Sequence, residues 1–489
     1  MSIVIGCDSF LSLRNVRNGD LGRRLAESTG ERVIVLVDPA QLDGSVQACP
    51  EAVEIDRLIE FDAEKDPTLA LLKERAYFTR KCYYDPHTLW TKVRASCYRG
   101  RGRWLLGRLA KLTLARLRMF HYRYDGWRGL AQPRRRAFAE ALRRHPVATE
   151  YRRRFDSWDA RLVVAFSLEG PREMALVEAA NAAGIPTAVM IRSRDNLAAK
   201  IGHLPDARAY LVWSDFTRAF LLHMYPEIPP ERVHVTGSPQ FDRHLDPAYR
   251  LSRDEFFRRI RLDPLRPLIV YTTATPGLIE HEIHIVQHLA DAVRDGRLRR
   301  GGVPAQLLVR GHPRGFGSDH LLLQRVHPGV AVFPPPGRAR YHSPEHEAQV
   351  VRLILEDEPV HLATLAYQDV QVNVSGTMTV DSAILDKPIV NIYYDLPPDV
   401  PAGLSVRRFY DRSDYKPIVA SGGVRLARSP EECLHLINQY LENPALDAAG
   451  RKWIRETDCG PLDGRAGERI AQRLAALCRV VSPAGTMPI

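Results

Sequence analysis

The stretch YQDVQVNVSGTMTVDSAILDKPIVNIYYD, from Tyr367 to Asp395, decides the fold class of this chain. Its apolar alternation ends at Val374, a helix-like run covers Met378 to Leu385, and a second strand-like run covers Pro388 to Tyr394. The pattern predicts strand, loop, helix and strand in succession. We therefore expect a βαβ unit with a small polar loop at the carboxyl end of its first strand.

That loop, Ser375-Gly376-Thr377, has the composition of an anion-binding turn. Helix amino termini carry partial positive charge and unpaired backbone N–H groups, and here two hydroxyl side chains stand beside them. We interpret the loop as a phosphate cradle. The alternative is an ordinary βα turn in which Gly376 serves only the backbone geometry.

Strands and helices alternate on both sides of this stretch. Apolar runs at Ser2 to Cys7, Arg32 to Val37 and Arg161 to Phe166 predict buried strands in the first half, and LIVYTTA at Leu268 begins a second half. The 489 residues exceed what one core usually serves. We predict an α/β fold with two Rossmann-like domains facing a cleft, at residues 1–245 and 267–489, joined by a linker at 246–266.

A helical, Arg-rich insertion is predicted within the first domain, over about residues 67–154. Leucines, aromatics and arginines follow one another there at helical spacing, and Arg94 to Arg154 contains 18 Lys or Arg against three acidic residues. This local excess is larger than the net charge of +11, so the basicity is a local feature. It predicts peripheral contact of residues 94–154 with an anionic membrane or acceptor. A solvated helical face is the alternative.

Several classes of protein are disfavoured. No apolar stretch approaches the length of a spanning helix, and the first residues lack a signal-peptide pattern, which predicts a cytoplasmic protein, at the inner face of the membrane. The seven cysteines include no CxxC pair, which argues against a disulfide framework and a zinc site. The first strand ends in CDSF, so a glycine-rich dinucleotide fingerprint is missing.

Four loops follow predicted strands, where open α/β sheets bind ligands. Three lie in the second half: the hydroxyl cluster around Thr273, the VRGHPRG loop with Arg310 and His312, and Ser375 to Thr377. The fourth, Ser193 to Asn196, lies in the first half. A guanidinium, an imidazole and hydroxyl groups are suited to binding phosphate.

The succession GSPQFD, LLVRGHPRG, the opening stretch and LDGRAGERI resembles the carboxyl-terminal half of bacterial glycosyltransferases with the GT-B fold. The likeness is strongest to the cell-surface polymer group that includes CDP-glycerol glycerophosphotransferases, and it covers roughly Val233 to Leu474. The resemblance implies transfer from a nucleotide-activated donor, held mainly by the second domain without a metal or another cofactor. In relatives the HP histidine and paired hydroxyls contact the donor phosphates, which carries over to His312, Ser375 and Thr377.

The resemblance breaks in the first domain. Glycerophosphate polymerases carry a WHG-type motif whose histidine acts as base, whereas this chain has RSRDNLAAKIG. Asp195 in that segment, or Glu169 in FSLEGP, is then the expected base, and a sugar is expected in place of glycerophosphate. Asp195 capping a helix that begins at Asn196 is the alternative. Asp381, one helical turn beyond Thr377, is predicted to contact a donor hydroxyl, with a solvent-facing position as the alternative.

We therefore expect a metal-independent glycosyltransferase that moves a sugar from a nucleotide donor to a surface-polysaccharide, lipopolysaccharide or lipid-linked acceptor. The expected catalytic residues are Asp195, Glu169 and His312, and the expected donor-binding residues are Thr273, Arg310, His312, Ser375, Gly376, Thr377 and Asp381.

Three alternatives remain. A glycerophosphotransferase is disfavoured because this chain lacks the histidine of the WHG-type motif. A nucleotide-sugar 2-epimerase is disfavoured because the amino-terminal loop lacks the GTRPE-like sequence that such epimerases share. A basic nucleic-acid-binding protein would suit the pI near 9.4, but few aromatics interleave the arginines and no recognition motif is present. No nucleic-acid partner is therefore expected.

Overall fold

The computed structural model describes residues 1–41, 53–99, 105–201, 203–275, 277–312, 319–333 and 357–480. The chain divides into two compact units. The first unit comprises Met1–Leu89, Arg116–Asp242 and Gly460–Ile489, and the second comprises Trp90–Ala115 and Arg243–Cys459.

The first unit is built on a parallel sheet with the strand order β3-β2-β1-β4-β5-β6-β7. Most of its strands are continuous apolar runs buried on both faces, as is typical of a parallel sheet covered by helices. In chain order the strands are β1 Ser2–Cys7, β2 Arg32–Val37, β3 Val53–Arg57, β4 Ala160–Ala165, β5 Thr187–Met190, β6 Ala209–Val212 and β7 Val233–Val235.

Helices connect these strands, and five of them lie between β3 and β4, as the sequence predicts for the Arg-rich segment. Those five are Pro67–Tyr84, Pro86–Tyr98, Leu105–Trp127, Ala131–Arg144 and Pro146–Trp158. The remaining helices associated with this unit are Phe10–Asn18, Leu21–Thr29, Pro171–Ala182, Asp215–Met224, Pro239–Asp242 and Ala466–Val480.

The second unit contains a six-stranded parallel sheet with the order β12-β11-β8-β13-β14-β15. Its strands are β8 Leu268–Thr272, β11 Gln306–Arg310, β12 Val330–Phe333, β13 Val370–Asn373, β14 Ile389–Ile392 and β15 Arg425–Ala427, and a short antiparallel pair is formed by β9 Arg299–Arg300 and β10 Val303–Pro304. The βαβ unit predicted from the opening stretch is confirmed, as β13, the helix Thr377–Ile384 and β14.

Helices cover the faces of this second sheet. They are Arg253–Ile260, Glu282–Arg294, Asp319–Val326, a helix over 357–367, Thr377–Ile384, Lys416–Ala420, Pro430–Glu442 and Ala448–Trp453.

The predicted linker over 246–266 belongs to the second unit. The helix Arg253–Ile260 buries Phe256 and Phe257 completely, in one apolar cluster with Leu268 and Val270 of β8. Its aromatic side chains are core residues, because burying each removes a large apolar area from water.

The carboxyl-terminal helix also differs from the predicted division, since Ala466–Val480 belongs to the first unit. The carboxylate of Asp242 accepts hydrogen bonds from the backbone N–H groups of Ala466 at 3.0 Å and Gly467 at 2.9 Å. A Cβ atom on Gly467 would lie 2.3 Å from the carbonyl oxygen of Gly19, so glycine is required at this close approach. The sequence motif LDGRAGERI therefore starts a helix that anchors the chain end to the first unit.

Residues Trp90–Ala115, which the prediction assigned to the first domain, belong to the second unit. The Tyr98 ring packs against Gly403, where an added Cβ atom would lie 2.3 Å from the ring. Arg99 donates to the carbonyl oxygen of Leu278 at 3.1 Å. Contacts with residues about 180 and about 300 positions further along the chain thus decide this assignment, and local sequence cannot show them.

Among the described cysteines, Cys97 alone is not buried. In the part of the chain that the structure describes, no helix combines the length and the apolar character needed to cross a bilayer.

Candidate functional site

The strand order of the second unit creates a switch point between β8 and β13. From these central strands the chain proceeds outward in opposite directions, to β11 and β12 on one side and to β14 and β15 on the other. Open α/β sheets bind ligands beyond the carboxyl ends of the strands at such a point. The loops that follow β8 and β13 therefore border the expected binding crevice of this unit.

The strand register places the ends of three neighbouring strands, and the predicted loops that follow them, side by side at one edge of the sheet. Thr272 at the end of β8 is paired with Arg310 of β11 on one side and with Asn373 of β13 on the other. Because all three strands are parallel, the residues after these partners leave the sheet side by side. Thr273, His312 and the Ser375 to Thr377 loop thus follow neighbouring strand ends, as the sequence predicts.

Hydrogen bonds join the first two of these loops. The backbone N–H of His312 donates to Oγ1 of Thr273 at 2.9 Å, and the backbone N–H of Thr273 donates to the carbonyl of Arg310 at 3.0 Å. The Nε2 atom of His312 lies 3.3 Å from Oγ1 of Thr275. The imidazole is half-buried and held in place, with a hydroxyl at its far nitrogen.

The loop Ser375 to Thr377 does not need glycine for its backbone. Gly376 has φ 178° and ψ 176°, an extended conformation open to any residue, and an added Cβ atom would meet no atom closer than 3.7 Å. The alternative reading, in which Gly376 serves only the turn geometry, therefore has no support in the backbone. A glycine leaves room for a ligand to approach the helix amino terminus closely.

A buried polar network lies beneath this loop, and sequence reasoning missed it. Asn391 donates to Oδ1 of Asn373 at 2.6 Å, and the Tyr415 hydroxyl donates to Oδ1 of Asn391 at 2.6 Å and lies 2.9 Å from Oγ1 of Thr379. Satisfied networks of this kind hold a single conformation, because any broken bond leaves a buried polar group without a partner. The network fixes the end of β13 and the first turn of the following helix.

Arg310 is already committed to another group. Its side chain is buried, and its two terminal nitrogens contact the two carboxylate oxygens of Asp357 at 3.1 and 2.5 Å. This bidentate pair occupies the guanidinium fork that the sequence analysis assigned to phosphate binding. In the structure Arg310 anchors the end of β11 through this pair with Asp357.

Asp381 is buried, which contradicts the alternative of a solvent-facing helix residue. Its Oδ1 atom lies 3.2 Å from Nε2 of His244, and His361 stands next to the pair. One ligand-type atom from each of the three side chains lies within 4.8 Å of the others. No local sequence pattern marks this cluster, because its members come from three separate segments.

Glu282 holds the loop around Thr273 in position through two hydrogen bonds. Its carboxylate accepts hydrogen bonds from the backbone N–H of Ala274 at 2.8 Å and from the hydroxyl of Tyr271 at 3.0 Å. Burial raises the pKa of Glu282 to about 7, although both hydrogen bonds oppose the increase. Glu282 thus positions the loop around Thr273 and changes its charge near neutral pH.

The first unit has its own switch point, between β1 and β4. Glu169 follows β4 and Asp195 follows the adjacent β5, and the structure links these two predicted residues through Lys200. The Nζ atom of Lys200 lies 3.3 Å from Oε1 of Glu169 and 3.0 Å from Oδ2 of Asp195. The two candidate bases therefore belong to one charged cluster.

Glu169 is the more strongly bound member of this cluster. It accepts hydrogen bonds from Asn196 at 2.5 Å and from Arg192. Burial raises the pKa of Glu169, but the positive charges of Arg192 and Lys200 outweigh this effect and hold the pKa below its ordinary value. Glu169 is accordingly ionised at neutral pH and is a weak base.

Asp195 precedes a single π-helical turn, Asn196–Lys200, but its side chain makes no capping hydrogen bond. Its carboxylate instead accepts from the Ser193 hydroxyl and contacts Lys200. The helix start after Asp195 matches the capping alternative, whereas the side-chain contacts do not.

Asp8 follows β1 at the switch point of the first unit, and the sequence prediction did not include it. Its carboxylate lies against Gly170, where a Cβ atom would be 1.8 Å from Oδ2, and accepts from Arg172 at 3.1 Å. Burial, followed by the neighbouring Glu173 carboxylate, raises the pKa of Asp8 to about 7, while Arg172 opposes the increase. An acidic residue directly after a buried strand, in CDSF, is the only sequence signal for it.

Comparisons with known proteins support the fold. The sequence matches no protein-family model, and no curated protein matches it. Solved structures with similar folds include S. aureus MnaA with UDP (TM-score 0.55, 10% identity, covering 98% of this chain and 97% of that one). A putative UDP-N-acetylglucosamine 2-epimerase from Listeria monocytogenes gives 0.54 at 9% identity, covering 100% and 99%. The UDP-GlcNAc 2-epimerase from Methanocaldococcus jannaschii gives 0.51 at 12% identity, covering 97% and 99%.

At such low identity these likenesses concern the fold alone. They extend over nearly the whole length of both chains, and both parallel sheets are present. The chain therefore has the two-domain α/β fold of the GT-B type, as the resemblance implied.

The raised pKa of Asp8 predicts a pH-dependent stability. The folded protein favours the protonated carboxyl, so this stabilisation is complete below the ordinary pKa of 3.8 and is lost as the pH rises through about 7. We expect the free energy of unfolding to fall between about pH 4 and pH 7, by about 4 kcal/mol at most from this group. Asp8→Asn should reduce that fall, as measured by urea unfolding at several pH values.

Glu140→Gln, on an exposed helix face, is the control and should keep the wild-type pH dependence. An unchanged pH dependence in Asp8→Asn would show that Asp8 titrates at its ordinary value.

Proposed function

We propose that this protein is a glycosyltransferase that uses a nucleotide sugar as donor and a surface-polysaccharide, lipopolysaccharide or lipid-linked molecule as acceptor. The observation that carries the proposal is the common level of three loops at the switch point of the second unit, where Thr272 pairs with both Arg310 and Asn373. These loops present hydroxyls, an imidazole and a helix amino terminus, which are groups that bind phosphate.

The donor diphosphate is proposed to lie against His312 and the loop from Ser375 to Thr377. The backbone N–H groups at Gly376 and Thr377 and the hydroxyls of Ser375 and Thr377 are its donors there. Tyr410 already accepts a hydrogen bond from the backbone of Ser375, so that N–H is occupied. Thr273 and Thr275 hold His312, and Asp381 lies one turn further along the helix.

In the proposed reaction the acceptor oxygen forms a bond to the anomeric carbon of the sugar. The bond from that carbon to the phosphate oxygen breaks, and its electron pair leaves with the nucleotide diphosphate. His312 and the helix amino terminus stabilise the charge that develops on this leaving group. The hydroxyl proton passes to a carboxylate base.

Asp195 is the proposed base. Its side chain keeps 26% of its surface exposed, and its contacts with Ser193 and Lys200 orient the carboxylate. Glu169 has a lowered pKa, so we assign it the positioning of Arg192, Asn196 and Lys200. Asp8 is a poorer candidate, because only 8% of its side chain is exposed.

Two substitutions test the donor site. His312→Ala and Thr377→Ala should each weaken binding of the nucleotide sugar by about tenfold, since each removes one phosphate contact of about 1.4 kcal/mol. Thermal-shift screening against UDP, CDP, CMP and GDP sugars identifies the donor, and calorimetry then measures the dissociation constants.

The matched controls are His284→Ala, an exposed histidine, and Thr68→Ala, an exposed threonine in the first turn of another helix. Both should bind the donor as the wild type does. If His312→Ala and Thr377→Ala also bind normally, the donor does not lie in this crevice.

A nucleotide-sugar 2-epimerase is the second candidate. It is favoured by the folds of the 2-epimerase structures, which align over nearly all of this chain. It is disfavoured by the amino-terminal loop, where CDSF stands in place of a GTRPE-like sequence.

Product analysis separates the two functions. We expect release of the nucleotide diphosphate only when lipopolysaccharide or a lipid extract is supplied as acceptor, and Asp195→Asn should slow it by about 10² to 10⁴. Asp206→Asn, an exposed carboxylate of the same unit, should not. Formation of the 2-epimer from UDP-GlcNAc alone, followed by NMR, would instead identify an epimerase.

The basic segment is proposed to dock on an anionic membrane, where lipid-linked acceptors are found. On the helix Leu105–Trp127, Leu117, Phe120, Tyr124 and Trp127 share one side and are 61, 73, 48 and 73% exposed. Leu109 and Leu114 continue this apolar face towards the helix start. Contiguous exposed apolar faces mark binding surfaces in globular proteins.

The opposite side of the helix is anchored. Tyr122 donates to Glu74 at 2.8 Å, and an added Cβ atom on Gly126 would lie 2.5 Å from Tyr83. Arg116, Arg123 and Arg128 are exposed beside the apolar face. Aromatic and leucine side chains flanked by arginines are the composition of helices that lie in the headgroup region of anionic bilayers.

Vesicle co-sedimentation tests this surface. The wild type should bind vesicles that contain phosphatidylglycerol and bind neutral phosphatidylcholine vesicles much more weakly. The double substitution Phe120→Gln/Trp127→Gln should lower the affinity at least about tenfold, because two large apolar groups leave the interface.

Leu265→Gln is the control, since Leu265 is 86% exposed elsewhere on the surface. Equal binding to neutral and anionic vesicles would contradict the charge-based part of the proposal. If the double substitution instead abolishes a concentration-dependent dimer, the apolar face is a contact between two copies of the chain.

A further inference from the structure

Three side chains of types that bind metals lie close together in the second unit, near the loop from Ser375 to Thr377. His244 follows the short helix Pro239–Asp242, His361 lies on the helix over 357–367, and Asp381 lies on the helix Thr377–Ile384. In the described parts of the chain, this is the only group of three histidine, cysteine or acidic side chains whose ligand atoms all lie within 4.8 Å of one another.

Their geometry is compact. The Nε2 atom of His244 is 3.2 Å from Oδ1 of Asp381, the rings of His244 and His361 have centroids 6.2 Å apart at 82°, and all three ligand atoms lie within 4.8 Å of one another. His244 and Asp381 are buried, whereas His361 is half-buried. One side of the cluster is therefore accessible, and the other two ligands are held by packing.

A buried ion pair fixes the segment that carries His244. Arg243 contacts Glu358 at 2.6 Å. Arg243 directly precedes His244 in the chain, and Glu358 lies one helical turn before His361. The chain after Asp242 is thus bound to the helix over 357–367 independently of the histidines. The two imidazoles are brought near each other by this backbone arrangement.

We propose that His244, His361 and Asp381 bind a divalent transition-metal ion of the Zn²⁺ type. Two neutral imidazoles and one carboxylate form a donor set that zinc and its neighbours in the first transition row prefer over magnesium or calcium. This metal site takes no part in the proposed transfer reaction. It uses no cysteine ligand.

The ion requires a small adjustment of one side chain. Zinc ligands lie 2.0 to 2.1 Å from the metal, so tetrahedral ligand atoms are about 3.4 Å apart. His244 and Asp381 already meet this spacing. The half-buried His361 ring supplies the remaining movement, which is at most about 1.4 Å since the ligand atoms lie within 4.8 Å of one another, and water occupies the fourth position on the accessible side.

The ion would tie together three segments of the second unit. Asp381 is one helical turn from Thr377, so a metal bound there would hold the helix whose amino terminus is proposed to face the donor phosphates. This role is positional, because the phosphate loop and the metal ligands occupy different turns of the helix. A hydrogen-bonded His244–Asp381 pair without an ion is the competing explanation of the geometry.

Metal titration of the full-length protein distinguishes these explanations. After treatment with a chelator, the protein should bind one equivalent of Zn²⁺ by calorimetry. With Co²⁺ it should show the visible absorption of a four-coordinate site with nitrogen and oxygen ligands. Zn²⁺ should also raise the melting temperature, because it binds the folded state.

His361→Ala should lower the metal affinity at least about 100-fold, since loss of even an outer-shell partner costs 10- to 100-fold. His361 is half-buried, so this variant should fold, which far-UV circular dichroism and the melting temperature without metal check. Asp381→Asn keeps the side-chain shape and should weaken binding as well.

His284→Ala is the matched control. His281 and His284 have ring centroids 6.1 Å apart, nearly the separation of His244 and His361, but belong to no three-ligand group among the described residues. Binding of one metal equivalent that His284→Ala retains and His361→Ala loses supports the site. Failure of the wild type to bind one equivalent, or wild-type affinity in His361→Ala, overturns it. Neither result depends on whether the protein binds a nucleotide sugar.

Discussion

Thr272 pairs in parallel with Arg310 on one side and with Asn373 on the other, and the candidate donor site depends on this alignment. A shift of one residue in either neighbour would turn its alternate side chains to the opposite face of the sheet. The register is reinforced by a buried hydrogen bond of 2.9 Å from the Gln371 amide to the Thr272 hydroxyl. The loops at this edge therefore start from a rigid base, and their polar groups are placed before any ligand arrives.

Charged side chains in both units serve mainly to hold these edges in position. Arg310 is held by Asp357, and Arg172 bridges Asp8 and Asp38 at 3.1 and 2.8 Å. Breaking a buried pair costs about 3–5 kcal/mol, because the remaining charge stays out of water. Arginines fixed in this way do not offer their guanidinium groups to a substrate. Backbone N–H groups, hydroxyls and the His312 imidazole are the groups at this edge of the second unit to which we assign phosphate binding in the proposed function.

Much of the fold could be predicted from the sequence because its central strands are continuous apolar runs. The βαβ unit of the opening stretch and the two α/β halves follow from that pattern, and the helical character of the Arg-rich segment follows from its helical spacing of leucines, aromatics and arginines. Strand β3, VEIDR, was missed because its side chains are only partly buried and it has the edge position in its sheet. Strand β15 has only three residues, too few to establish a period.

The candidate site was predictable only where a polar loop directly follows an apolar strand. His312, Thr273 and the Ser375 to Thr377 loop satisfy that condition. The pairing of Arg310 with Asp357 and of Asp381 with His244 joins residues 47 and 137 positions apart, and no local pattern records such contacts. The raised pKa values of Asp8 and Glu282 have the same origin, since burial by distant chain causes them.

The position of the helix Ala466–Val480 has a consequence for the order in which the protein forms during synthesis. Asp242 leaves the ribosome more than 200 residues before Ala466 and Gly467, its partners at the start of this helix. All segments of the second unit have been translated once Cys459 is made, whereas the first unit still lacks its last helix. The surface of the first unit that receives this helix therefore stays uncovered until Ala466–Val480 has been translated. The usual progression, in which the amino-terminal domain is finished first, is reversed in this chain.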